Sequence, residues 1–98
     1  MRITESRGSR ETTLFLAGKI NDVTSPQLQN EIFRASKITK DLTLDFSDVE
    51  SINKSGVQVL QSAIRLVESR RGKFKVQNCD SKVRQELQKE GLGRLLTY

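Results

Sequence analysis

LTLDFSDVESINKSGVQVL, residues 42–60, changes its hydrophobic period partway along. Leu42, Leu44 and Phe46 recur every second residue and share one face of a strand, whereas Val57 and Leu60, continued by Ile64 and Val67, recur at helical spacing. A strand-to-helix transition is therefore predicted, with residues 47–54 as its connecting loop. Ser55-Gly56-Val57-Gln58 matches the S/T-x-x-E/Q capping box, which places Ser55 at the N-cap with its hydroxyl at the mouth of the helix.

The same two periods organise the rest of the chain. Residues 12–18 and 73–77 read as strands, with Leu14/Leu16 and Phe74/Val76 each on one face, and Ile3 begins a short extra strand turned back by SRGSR. Leu28, Ile32, Ala35 and Ile38 share a helical face, as do Val83 and Leu87. Thr24-Ser25-Pro26-Gln27 is a second capping-box match, and Gly72 and Gly91 suit helix ends. Opposite the apolar strand faces stand Thr43, Asp45 and Lys75, so one side of the sheet is expected to stay more open. Strand and helix alternate, which implies parallel neighbours joined by right-handed crossovers. The expected architecture is a small α/β fold: a mixed, mostly parallel sheet with helices mainly on one face.

A chain of 98 residues, 35% hydrophobic and 30% charged, fits one globular domain over residues 1–98. It has neither a membrane-spanning stretch nor the apolar core of a signal peptide, so a cytoplasmic location is expected. The single cysteine, Cys79, has no partner for an internal disulfide and reads as a buried or incidental thiol. Net charge is +5, but the 17 basic residues are scattered and the four Phe and one Tyr do not interleave with a basic cluster. Nucleic-acid binding is not expected. With no histidine, no catalytic triad can form, and neither a phosphate-cradling glycine loop nor metal-ligand spacing occurs. Asp45, Asp48 and Glu50 read as solvated turn residues rather than an acid-base pair. No enzyme, cofactor or metal site is expected.

Three segments in order resemble the STAS domain family: LFLAGKINDVTSPQL (14–28), LTLDFSDVESINKSGVQVL (42–60), and RRGKFKVQN (70–78) followed by a helix ending in GLGRLL. The size is similar to that of single-domain bacterial anti-sigma factor antagonists. The resemblance implies a partner-switching regulator that binds an anti-sigma factor, usually a serine kinase with a histidine-kinase-like ATPase fold, and is released by phosphorylation of the serine before the glycine. Here that serine is Ser55. The implied binding surface takes in the loop 47–54, the first turns of the following helix and the adjacent loop 18–24: Asn21, Thr24, Ser47, Asp48, Asn53, Lys54, Ser55, Gly56 and Val57. Small STAS proteins also serve as constitutive subunits docked without phosphorylation on ABC-type transporter ATPases, which is the alternative. Asn21, Asn53, Lys54 and Lys19 stand where the family usually carries acidic or small residues.

Overall fold

The computed structural model describes residues 1–97. Its elements are β1 (Arg2–Arg7), β2 (Glu11–Ile20), α1 (Ser25–Ser36), β3 (Asp41–Ile52), α2 (Lys54–Ser69), β4 (Phe74–Gln77), α3 (Ser81–Lys89), a 3-10 turn (Gly93–Leu95) and β5 (Leu96–Thr97). The five strands pair in the order β1-β2-β3-β4-β5, the first pair antiparallel and the others parallel. Each parallel crossover therefore advances in the same direction across the sheet. Right-handed connections then place all three helices on one face, as the sequence implies. Leu14, Leu44 and Val76 are in register on that face and are fully buried with Leu28, Leu60 and Leu87 from the helices, in one cluster.

The central strand is longer than the period-two pattern indicates. β3 continues through residues 47–52, paired with β2 as far as Ile20↔Ile52, so the expected loop is mostly strand. Two register shifts explain the difference: Phe15↔Asp45 is followed by Ala17↔Asp48, and Gly18↔Val49 by Lys19↔Ser51. Each shift inserts an extra residue in β3 and exchanges its faces, so burial passes from Phe46 to Val49 to Ile52 and alternation is lost.

Three other expectations change. Ile38 lies beyond α1 and is half exposed; the backbone N–H groups of both Ile38 and Thr39 donate to the Ala35 carbonyl in a closing turn. Thr43 and Asp45 lie on the sheet face away from the helices but are 3% and 4% exposed, because they sit on the central strand between flanking side chains. Gly72 is not the left-handed residue that ends α2. That residue is Arg71 (φ 61°), with Arg71 N–H donating to Glu68 and Gly72 N–H to Val67, a Schellman closure. Gly72 is required for space instead: a Cβ there would lie 1.9 Å from the Lys40 carbonyl oxygen. At the end of α3 the left-handed position is Gly91 (φ 80°), as expected.

Candidate functional site

The end of β2 and the start of α2 meet because Ile20 and Ile52 are the last paired residues of β2 and β3, and both chains leave the sheet there. The Asn53 backbone N–H donates to the Ile20 carbonyl (3.0 Å), which pins α2 beside the turn leading into α1. Asn53, not Ser55, is the N-cap: its Oδ1 accepts from the Gly56 N–H at 3.3 Å, and α2 begins at Lys54. Ser55 therefore stands in the first turn with its hydroxyl free of capping. Asparagine satisfies a helix start as well as serine does, and its position one residue before the helix decides between them.

The freed hydroxyl is turned across the gap. Ser55 Oγ donates to Asp22 Oδ1, and Asn53 Nδ2 donates to the same oxygen at 3.1 Å. The Ser55 hydrogen bond first, then that of Asn53, holds the Asp22 carboxyl below its ordinary value against a small opposing effect of desolvation. Asp22 is thus ionised at neutral pH. The turn presenting it is organised by Asn21, whose Oδ1 accepts from the Val23 and Thr24 N–H groups (3.0 and 3.1 Å). Thr24 precedes α1 but does not cap it with its side chain: its hydroxyl accepts from the Asn21 N–H (2.9 Å) and donates to the Lys19 carbonyl (2.8 Å). Val23 at the tip is 85% exposed. Between the first turns of α1 and α2 opens a cleft of about 350 Å³ lined by Asp22, Ser25, Gln29, Ser55 and Gln58 among others. The Ser25 hydroxyl is buried and has no hydrogen-bond partner among the described residues.

The structure therefore brings together Asn21, Thr24, Asn53, Lys54 and Ser55, and adds Asp22, which the sequence reading missed. Its signal was faint: it is the one carboxylate in the β2–α1 turn, and its partner Ser55 is 33 positions away. Val57 is buried at 2% exposure, so it supports the surface from the core and does not form it. Gly56 is buried too. A Cβ on Gly56 would lie 2.6 Å from Ile20 Cγ2 and 2.7 Å from Ile52 Cγ1, so the glycine lets α2 start directly on the strand ends. Gly56→Ala is expected to lose about 1–3 kcal/mol of stability by overpacking, seen as a lower urea midpoint at an unchanged slope.

Ser47 and Asp48 fall elsewhere, on the β3 irregularity. Ser47 belongs to a second group around Asp45, whose Oδ1 accepts from the Ser47 N–H (2.9 Å) and hydroxyl (2.6 Å) and whose Oδ2 accepts from Gln77 (3.0 Å) and Asn78 (2.8 Å). Asp45 is thus a buried, bonded strand residue and not a solvated turn carboxylate. Cys79 is half-buried, and burial first, with Asp80 beside it, pushes its thiol up to about 11, so it stays protonated at neutral pH.

No helix is long and apolar enough to cross a membrane among the described residues. A search of curated proteins by sequence returns no match. The fold, by contrast, is widely shared. The anti-sigma factor antagonist SpoIIAA in its unphosphorylated form superposes with a TM-score of 0.84 at 19% identity, covering 98% of this chain and 86% of that one. The Bacillus cell fate determinant SpoIIAA in the phosphorylated form gives 0.79 at 18%, covering 98% and 89%. An anti-sigma factor antagonist from Mycobacterium paratuberculosis gives 0.84 at 21%, covering 97% and 81%. The family model of the STAS domain matches residues 2–98. With the sheet order, the one-sided helices and the serine-glycine start of α2 all in place along that match, the chain belongs to the STAS domain family.

Proposed function

We propose that this chain is a partner-switching regulator of the anti-sigma factor antagonist kind. It docks through the β2–α1 turn and the start of α2 onto an anti-sigma factor that is itself a serine kinase with a histidine-kinase-like ATPase fold. Phosphorylation of Ser55 releases it. The observation that carries the reading is the Ser55 hydroxyl, uncommitted to capping, at the start of α2 beside a turn whose apolar tip Val23 faces solvent. Neighbours of the same fold are described in an unphosphorylated and a phosphorylated form. A phosphate adds roughly −1.5 to −2 charge. At the first turn of α2 the helix N-terminus tolerates that charge, so the fold is kept while a docked surface is not.

Affinity capture from native lysate, read by mass spectrometry, tests the reading. A histidine-kinase-like ATPase as the captured partner supports it, whereas an ABC-type ATPase supports constitutive docking without phosphorylation.

Lys54 and Lys19 are both exposed on elements that meet at this surface. The partner is expected to present carboxylates to them, and such charges act mainly on encounter rate. Stopped-flow association should slow as salt is raised, because the screening length is about 8 Å at physiological ionic strength. Lys54→Glu should slow association and flatten the salt dependence. Lys89→Glu, on α3, should do neither; equal behaviour of the two variants would remove the basic rim from the interface.

A further inference from the structure

Two donors converge on one oxygen of Asp22, the Ser55 hydroxyl and the Asn53 amide, and among the described residues no basic side chain forms an ion pair with it. The Asp22 carboxylate is therefore held by Asn53 and by the proton of Ser55. Resting on the reading of Ser55 as phosphoacceptor, we propose that Asp22 is the positioning residue of the switch in both of its states: it holds the Ser55 hydroxyl for phosphoryl transfer, and it repels the phosphate once attached.

In the unmodified chain, donation of the proton to Asp22 fixes the rotation of the hydroxyl and leaves the oxygen lone pairs directed away from the carboxylate. In the transfer, Ser55 Oγ forms a bond to the γ-phosphorus of a nucleoside triphosphate held by the kinase. The bond from that phosphorus to its bridging oxygen breaks, and the nucleoside diphosphate leaves with the electron pair. The proton passes from Oγ to the Asp22 carboxylate and on to water. Phosphoryl transfer depends mainly on positioning and electrostatics, so orienting the acceptor is the larger part of this role. Afterwards the donor on which Asp22 relied is gone and a phosphate stands in its place. Of the two side-chain hydrogen bonds to Asp22, that of the Asn53 amide then remains, against repulsion between two anions.

The charged groups nearest to Ser55 and Asp22 along the chain are Lys54 at the start of α2 and Lys19 near the end of β2, both exposed and, like Glu31 and Arg34 on α1, Glu11 on β2 and Arg65 and Glu68 further along α2, unchanged in the comparison that follows. Phosphoserine is installed at position 55 during synthesis, in the otherwise native chain and in Asp22→Asn, and the phosphate is titrated by phosphorus NMR. Its second pKa, ordinarily about 6, should be higher in the native chain by about half a unit, or roughly threefold in proton affinity, as expected for a unit charge about 5 Å away in a water-like medium. Equal values would overturn the repulsion. With the captured kinase, Asp22→Asn in the unmodified chain should lower kcat about tenfold or more with little change in KM, and Asp22→Glu should restore part of it. Equal turnover of Asp22→Asn and the native chain would overturn the positioning role. A native chain that the kinase leaves unmodified at Ser55 would refute the phosphoacceptor reading itself, a failure the NMR titration does not share.

Discussion

Asp45→Ala is expected to lower folding stability by about 3 kcal/mol or more, a large share of what a domain of this size possesses. The carboxylate is 4% exposed and accepts four hydrogen bonds, two from Ser47 and one each from Gln77 and Asn78. Removing it strands donors on two adjacent strands at the point where β3 changes register. Asp45→Asn keeps the volume but places an amide NH2 against donors, so it should recover only part of the loss. The acid response separates charge from shape. Burial by itself raises the Asp45 carboxyl, and the hydrogen bonds from Ser47, Gln77 and Asn78 outweigh it, leaving the group below its ordinary value of 3.8. A depressed folded value means that the contribution is fully present above the unfolded pKa and is lost as pH falls through the folded one. The native chain should therefore lose stability below about pH 4 more steeply than Asp45→Asn does. Urea midpoints measured from neutral pH downward would show it; parallel curves would mean that the ionised carboxylate is not what the group stabilises.

Ser55→Glu is expected to weaken docking on the captured partner by about a hundredfold or more, equivalent to about 2.7 kcal/mol. Ser55→Ala should bind within a few-fold of the native chain. The contrast is sharpened by where the cap lies. Because Asn53 accepts from the Gly56 N–H, neither substitution at Ser55 removes it, and an acidic side chain in the first turn of α2 is favourable to the helix dipole. Both variants should fold, so their binding can be compared directly. Asn53→Ala is the complementary control: loss of the cap should lower stability by about 1 kcal/mol. Calorimetric titration of the partner with the three variants reads the difference. Tight binding by a folded Ser55→Glu chain would take Ser55 out of the docking surface.

The layering was legible because it depends on local periodicity. Leu14/Leu16, Leu42/Leu44/Phe46 and Phe74/Val76 mark one face of three strands, and Leu28/Ile32/Ala35, Val57/Leu60/Ile64/Val67 and Val83/Leu87 mark the helices that cover it. What escaped was set by contacts distant in sequence. The two extra residues in β3 destroy the alternation that would have revealed residues 47–52 as strand, and only pairing with β2 shows that the strand continues. Thr24 is the N-cap of α1, as the first capping-box match implies, but gives the helix no side-chain bond, and in the second match Ser55 is not the N-cap. Thr24 is drawn back to Asn21 and Lys19, and Ser55 is drawn across to Asp22, so each hydroxyl has a better partner than the helix behind it. Asn21 departs from the family pattern, yet it shapes the turn that presents the neighbouring carboxylate. Ser55 as a candidate phosphoacceptor comes from the resemblance, since spacing alone reads it as a cap.

On the proposed function, Ser55 is where a kinase partner writes the switch. The most direct measurement incubates the native chain with its captured partner, magnesium and ATP, then maps phosphate by mass spectrometry while following the complex by size-exclusion chromatography. A single phosphate is expected, on Ser55, with dissolution of the complex as it appears and neither seen for Ser55→Ala. Phosphate on another residue, or a complex that persists on the chain phosphorylated at Ser55, would contradict it.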